Sequence, residues 1–482
     1  MNTRKNTLYN VAYRVFSMLL PLVTAPYLSR VVGTEGVGLY GYSWAVSYVF
    51  VLIGLLGLEN YGPREIARVR DDRDALNRTF SAIWKMQRLV AGVTLLVWLV
   101  YVFFIAGEEK IISLNLTMMS VSCLVNLDWC LMGLDEFKPI ALRNTAVKLL
   151  AAAAVFLFVR KPEDLWVYAF VWSLSTLLGC LSCMFSLRGK VTPVKVTWKE
   201  ALKHLAPCAL LSISVIAVSV YRQMDKVMIG ALADMAQTGL YENAEKIILC
   251  LSGFISAIGT VMLPKVSRMT RMKHIRAVRL DQDAVKRHIR LSMELVMCMV
   301  CAMAFGLAAV AVNFAPLFYG DDFAYSGTLM MPLAFTLLSI GFANVIRTQW
   351  VLPQGRDTIF VHSVLTGAVI NLIANFVLIP PFGAMGAAAA TVLAEFSVPA
   401  VQFVYLRKEL PYAQYLKTTG VYCLFGLVMA GAVALLGHVL PLHGWWKLAL
   451  QVTGGAAVYG ALCLTYWKLA KRSDIFRLMR RK

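Results

Sequence analysis

The sequence predicts an all-α polytopic membrane protein of about fourteen transmembrane helices, two related halves of about six spans and a final pair. Three observations predict this. The 482 residues are 59% hydrophobic and only 15% charged, against roughly 25% charged in a soluble domain, and the mean hydropathy is +0.66. Apolar runs of spanning length follow one another, rich in Leu, Ala, Val, Met and Phe, where a barrel would show ~10-residue alternating segments. Finally, Lys and Arg gather in alternate loops, the topological signature of a chain threaded through a bilayer.

In chain order the predicted spans are 8–31, 36–60, 79–106, 111–133, 138–159, 165–187, 205–232, 238–263, 291–315, 327–351, 358–380, 383–406, 417–440 and 445–469. The basic loops, including the strip with Arg268, Arg271, Lys273, Arg276 and Arg279 and the tail Arg480, Arg481 and Lys482, place both termini in the cytoplasm. The other loops are short and lean acidic, as in Glu108, Glu109, Asp321 and Asp322. The first apolar stretch is too long for a cleavable signal peptide, is interrupted by Arg14 and lacks a small-residue cleavage site.

Several function classes are excluded. A net charge of +20 suggests nucleic acid, but the basic residues are dispersed over many loops in a topological pattern, so no nucleic-acid partner is expected. There is no GxxxxGK[ST] phosphate loop, and no outside loop is large enough to build an enzyme site. Cys180 and Cys183, and Cys298 and Cys301, each share a helix face, but no histidine or second pair stands nearby in sequence. They read as small packing residues, with no metal and no cofactor.

The halves repeat a pattern. A long span ends at a glycine and a Gly-Leu-Tyr entry opens the next: Gly33 then Gly38-Leu39-Tyr40, and Gly230 then Gly239-Leu240-Tyr241. The expected division is an N-terminal lobe at 1–187, a cytoplasmic linker at 188–204, a C-terminal lobe at 205–406, and the last two spans with a basic tail at 407–482. The linker reads as an interfacial amphipathic stretch. Two same-orientation halves imply an axis along the membrane normal, with binding near the midplane.

Function is sought where charge enters the apolar runs. Arg222, Asp225 and Lys226 share one helix face in the seventh span, and Glu242, Glu245 and Lys246 repeat the spacing in the eighth. Each central charge costs roughly 2.5–3.5 kcal/mol on insertion scales. Two readings stand: an ion-pair network tying two helices together, or the wall of a polar cavity. Further cations at Arg14, Arg143, Lys148 and Arg347 favour the cavity and an anionic ligand, since Arg suits bidentate phosphate binding and Lys point-charge attraction. Asp128 is positioned to pair with Arg143, and Glu395 is either an ion relay or a hydrogen-bonded packing residue. Tyr40, Tyr42, Trp44, Tyr48, Tyr221 and Tyr241 form an aromatic belt or offer surfaces for sugar rings.

A set of motifs then carries a resemblance. PYLSRVVGTEGVGLYGYS at Pro26–Ser43, LGLENYGPREIAR at Leu56–Arg68 and LDWCLMGLDEFKPIALRNTAVKL at Leu127–Leu149 stand in the first half. DKVMIG at Asp225–Gly230, GLYENAEKI at Gly239–Ile247 and FGAMGAAAATVLAEF at Phe382–Phe396 stand in the second. Together they resemble the polysaccharide-transport (Wzx-type flippase) branch of the multidrug/oligosaccharidyl-lipid/polysaccharide exporter superfamily. The resemblance implies two six-helix lobes in an inverted V around a cavity opening alternately to each side. It implies a bacterial inner-membrane carrier of undecaprenyl pyrophosphate-linked oligosaccharide, for O-antigen, capsule or exopolysaccharide synthesis, working beside a polymerase and chain-length machinery. On it, Arg14, Lys148, Arg222 and Lys226 hold pyrophosphate or acidic sugars, and the last two helices tend the lipid tail. Alternatives are a drug or cation antiporter of the same superfamily, whose site would favour carboxylates, and a polysaccharide polymerase or ligase, which would need a large outside loop.

Overall fold

A computed structural model describes residues 3–276, 282–439 and 442–470, with side chains at 3–15, 256–285, 18 and a few positions within 213–220 outside the description. The chain falls into two compact units, residues 1–242 and 243–482. The first contains α1 (Thr3–Leu55), α2 (Leu58–Val69), α3 (Arg73–Val100), α4 (Lys110–Val125), α5 (Asp128–Gly133), α6 (Phe137–Phe158), α7 (Leu165–Leu187), α8 (Trp198–Leu202), α9 (Leu205–Leu232) and the start of α10 (Met235–Arg276). The second contains the rest of α10, then α11 (Gln282–Tyr319), α12 (Ala324–Ala334), α13 (Thr336–Ile346), α14 (Asp357–Phe382), α15 (Ala384–Leu406), α16 (Tyr412–Val439) and α17 (Gly444–Leu469). Nine helical stretches among the described residues are long and apolar enough to cross a membrane, with Lys110–Val125 a shorter apolar helix.

Among the described residues, each predicted span falls on one helix or on consecutive helical segments, and the breaks have local causes. Gly33, at φ 69° and ψ −175°, divides α1 into two helical arms, a conformation only glycine adopts without strain. Leu56 and Gly57 are both left-handed and end the second arm before α2 begins. The predicted inside loop at 62–78 is therefore largely helical, because α2 continues to Val69. The predicted 111–133 span is interrupted at Asn126–Leu127, where Gln87 closes the gap. Its amide donates to the carbonyls of Cys123 (2.7 Å) and Asn126 (2.8 Å), and its oxygen accepts from Trp129 Nε1 at 2.9 Å. Fully buried Gln87 thus supplies the carbonyl partners that the end of α4 lacks.

In the first unit, Leu58, Ile66, Phe80, Ile83, Met86, Trp129 and Cys183 form a continuous core joining α2, α3, α5 and α7. Val191 and Ala201 of the linker belong to the same core. The linker is docked along α3: Thr192 N donates to Asn77 Oδ1 (2.7 Å), Val194 N to Ser81 Oγ (2.8 Å), and Lys85 Nζ to the Val196 carbonyl (2.8 Å). Thr197 and Glu200 form a capping box at α8, and Glu200 also pairs with Arg78 at 2.6 Å.

In the second unit, α14 and α15 form a hairpin turned at Gly383 (φ 55°). A side chain at Gly386 would strike the Leu378 carbonyl at 2.0 Å, so the alanine-rich FGAMGAAAA run is the contact surface of that hairpin. Its other faces carry exposed Val369, Ile373, Phe376 and Val377, as lipid-facing helices do. α16 and α17 pack on α11. There the structure adds what adjacency in sequence does not show: Cys298 Sγ lies 3.6 Å from Cys463 Sγ, and Cys301 Sγ lies 3.7 Å from Cys423 Sγ. The missing partners of the Cys298–Cys301 pair come from distant helices. Even so, among the described residues no group of three His, Cys, Asp or Glu is arranged to hold a metal ion.

Candidate functional site

The charged trio of α9 divides. Asp225 and Lys226 are both only 4% exposed. Lys226 Nζ lies 2.9 Å from Glu242 Oε2 on α10 and 5.7 Å from the centre of the Trp44 ring. Asp225 Oδ2 accepts a 2.6 Å hydrogen bond from Tyr241 OH, itself fully buried. Arg222, one turn earlier, is exposed. Asp225 and Lys226 therefore tie α9 to α10, while Arg222 is the member of the trio presented to its surroundings.

Glycines allow this arrangement. A Cβ at Gly41 would sit 3.4 Å from the Glu242 side chain, and one at Gly230 would strike the Tyr42 ring at 2.4 Å. The two Gly-Leu-Tyr motifs meet each other directly. A Cβ at Gly38 would lie 1.7 Å from the Met235 carbonyl, and one at Gly239 would lie 2.0 Å from the Thr34 carbonyl. The glycines that mark the repeat are thus the points where α1 and α10 touch backbone to backbone. The tyrosine after the second one reaches Asp225.

A second charged group stands on α5 and α6. Arg143 Nη2 lies 2.8 and 3.0 Å from the two Asp128 oxygens, and Asn144 Oδ1 accepts from Arg143 Nε and Nη2. The side chains are 10% and 20% exposed, so the pair predicted from sequence forms and is largely shielded. Lys148 Nζ, one helical turn further, donates to Ser17 Oγ of α1 at 3.2 Å. Tyr48, stacked on Trp44 at 4.9 Å, lies within electrostatic reach of both Arg222 and Glu59.

The sequence reading passed over two residues here. Glu59 is exposed, in the first turn of α2, and interacts electrostatically with Asp128. Its signal was position: the first acidic residue after the Leu56–Gly57 break, where a helix start favours a carboxylate. Gln87 left no signal, because a lone glutamine in an apolar run does not reveal which carbonyls it meets.

The remaining predicted residues lie in the second unit or outside the described side chains. Lys246 Nζ donates to Asn243 Oδ1 at 3.3 Å, and Glu245 is partly buried on the same helix. The Arg347 guanidinium stacks 3.9 Å from the centre of the Phe360 ring. Glu395 is partly buried, and its backbone carbonyl accepts from Ser339 Oγ. The Arg14 side chain lies outside the described residues, as does most of the basic strip from Lys265 to Arg290.

An apolar helical bundle that carries paired and half-shielded charges inside its spans is that of a multi-pass membrane protein. The chain belongs to the polysaccharide biosynthesis protein family, which matches residues 3–270. A protein of Escherichia coli K12 named as an O-antigen transporter is 21% identical over 414 residues, 85% of this chain and 98% of its own length. A Haloferax volcanii protein named as a low-salt glycan biosynthesis flippase is 23% identical over 247 residues, about half of each chain. Among solved structures, the lipid II flippase MurJ in an inward closed conformation superposes with a TM-score of 0.76, covering 96% of this chain and 98% of that one at 16% identity. An inward-facing multidrug transporter of the MATE family gives 0.58, covering 82% and 94% at 12% identity. The structural likenesses show the fold, and the family match and the named relatives bear out the resemblance to polysaccharide-transport proteins. The named relatives are transporters and flippases, not enzymes.

Proposed function

We propose that the chain flips an undecaprenyl pyrophosphate-linked oligosaccharide from the cytoplasmic to the outer face of a bacterial inner membrane, for O-antigen, capsule or exopolysaccharide synthesis. The physical problem is the headgroup: a pyrophosphate bears charges that hydrocarbon cannot solvate, so its passage needs a polar, protein-lined replacement for water. The observation that carries the reading is the division of the α9 trio. Asp225 and Lys226 are locked to Tyr241 and Glu242, which leaves Arg222 as the exposed charge of that span.

A guanidinium can grip a phosphate through two parallel hydrogen bonds, and aromatic faces such as the stacked Trp44–Tyr48 pair suit sugar rings. Lys148, Arg143 and the cations of the second unit are the further candidates for the headgroup, and Arg14 joins them by sequence. Alternating access moves the site from one face to the other. The family match and the names of the relatives support this substrate class over a drug antiporter, as does the excess of cations over carboxylates among the candidates.

The test is genetic and biochemical together. A strain carrying only Arg222→Ala should accumulate lipid-linked oligosaccharide on the cytoplasmic face while the protein reaches the membrane at wild-type levels. Arg222→Lys should retain part of the export. Unchanged polymer at the cell surface in the alanine strain would remove Arg222 from the proposed site.

A further inference from the structure

The second unit buries a carboxylate that the proposed headgroup site does not use. Glu294 of α11 is 0% exposed. Tyr422 OH of α16 donates to Glu294 Oε1 at 3.3 Å, and Trp467 Nε1 of α17 donates to Tyr422 OH at 2.8 Å. An indole N–H can only donate. It therefore occupies an acceptor position of the phenol and leaves the phenolic hydrogen directed at the carboxylate. Three helices meet at this one group.

The approach to it is polar. Tyr412, Tyr415, Thr419 and Tyr422 recur at helical spacing on one face of α16. The hydroxyls of Tyr412, Tyr415 and Thr419 are buried and have no hydrogen-bond partner among the described residues. Tyr412 and Tyr415 are 4% and 1% exposed. Buried hydroxyls of this kind are matched by water when the protein supplies no partner. The file begins beside the exposed Arg407 and Lys408 at the end of the bundle, and covers roughly 15 Å at 1.5 Å per residue before reaching Tyr422.

Among the described residues the titratable groups around Glu294 come from three helices, and Tyr466 of α17 stands beside Tyr422 with ring centroids 6.1 Å apart. Arg290 and His288 precede it on α11, and Cys298 follows one turn later. α16 contributes Tyr415, Tyr422 and Cys423, and α17 contributes Tyr459 and Cys463. Helix α13, also packed on α11, carries no charged residue. Arg290 acts electrostatically on Tyr415 of the hydroxyl file.

We propose that Glu294 is a proton-binding site, reached from the Arg407–Lys408 end of the bundle along the hydroxyl face of α16. A carboxyl buried this deeply in a membrane bundle, at the end of a polar file, is the arrangement of a proton relay. Its charge state acts on the Tyr422–Trp467 chain, and so on the seating of α16 and α17 against α11. The inference concerns the ion and does not depend on the substrate.

The experiment is pH-difference infrared spectroscopy on the purified full chain in lipid nanodiscs. A titrating carboxyl C=O band is expected in the wild type and lost in Glu294→Gln. Tyr422→Phe removes a donor to the charged form and should raise the midpoint of that band by about one pH unit. Should Glu294→Gln fail to fold, the Tyr422→Phe comparison decides alone. A wild-type spectrum indistinguishable from that of Glu294→Gln, or a Tyr422→Phe midpoint equal to the wild type, overturns the proposal. Exchange of potassium for sodium at constant ionic strength should leave the midpoint in place. A sodium-induced shift would make this a metal-cation site and overturn the assignment to protons.

Discussion

Lys226, at 5% side-chain exposure, has Glu242 2.9 Å away and the Trp44 ring facing its side-chain nitrogen. Removing one member of such a buried pair strands the other, a loss of about 3–5 kcal/mol. We therefore expect Glu242→Ala to lower the thermal unfolding temperature in detergent sharply. The double variant Lys226→Met/Glu242→Leu, which removes both charges and keeps volume, should recover most of it. A double variant no better than the single one would mean the pair does more than balance charge. Arg222 belongs to the other kind of residue. It is exposed, so Arg222→Ala should leave the unfolding temperature within about 0.5 kcal/mol-equivalent of wild type, and its effect should fall on export. That separation of stability from transport is the physical content of the split trio.

Among elements, the contact of α1 with α10 depends on missing side chains. At Gly239 even a methyl group would have to displace the Thr34 carbonyl from 2.0 Å, and overpacking of this kind costs typically about 1–3 kcal/mol. Gly239→Ala should therefore destabilise the protein, whereas alanine at Gly92, which has nothing within 4 Å of a built Cβ, should not. Equal unfolding temperatures for the two variants would contradict the close approach.

The linker makes a different prediction, because its docking on α3 is ionic and capped. Backbone and side-chain hydrogen bonds from Thr197, joined by Arg78, hold the Glu200 carboxyl down at about 2 against an ordinary value of 4.5. The folded value is the lower one, so this docking is complete above about pH 4.5 and is lost as the pH falls toward 2. Pepsin should cut the 188–204 segment progressively faster over that window, measured against a reference peptide. Glu200→Gln should already be cut readily at pH 5, and equal rates for the two proteins would show that the carboxylate does not hold the strap.

For the molecule as a whole, the flippase reading predicts a sequence of events in cells. Deleting the gene should stop surface polymer and trap lipid-linked oligosaccharide at the cytoplasmic leaflet. A chain-length variant without trapped intermediate would instead favour a polymerase-type role. Much of this organisation was legible beforehand. Composition, apolar runs and loop charge announced the membrane bundle, and the ordered motifs announced the family that matches residues 3–270. The Asp128–Arg143 pair was legible too, because both charges fall in consecutive apolar spans that have to pack together. Less was legible wherever backbone geometry intervenes. The break before α5 is held by Gln87, 36 residues from the carbonyl it satisfies, and no periodicity encodes that distance.

Solvent transfer explains the division. Whether a segment can live in hydrocarbon depends on its own residues, so the apolar spans, the loops that stay in water and the list of charges that must find partners were all determined along the chain. Which charge is sealed and which is presented depends on what another helix brings to it. Tyr241 and Glu242 meet Asp225 and Lys226 only after α9 and α10 pack. Tyr422 reaches Glu294, and Trp467 reaches Tyr422, from helices more than a hundred residues downstream of that carboxylate. Partnering of a buried charge is a short-range, three-dimensional matter, and for that reason only the tertiary structure could decide it.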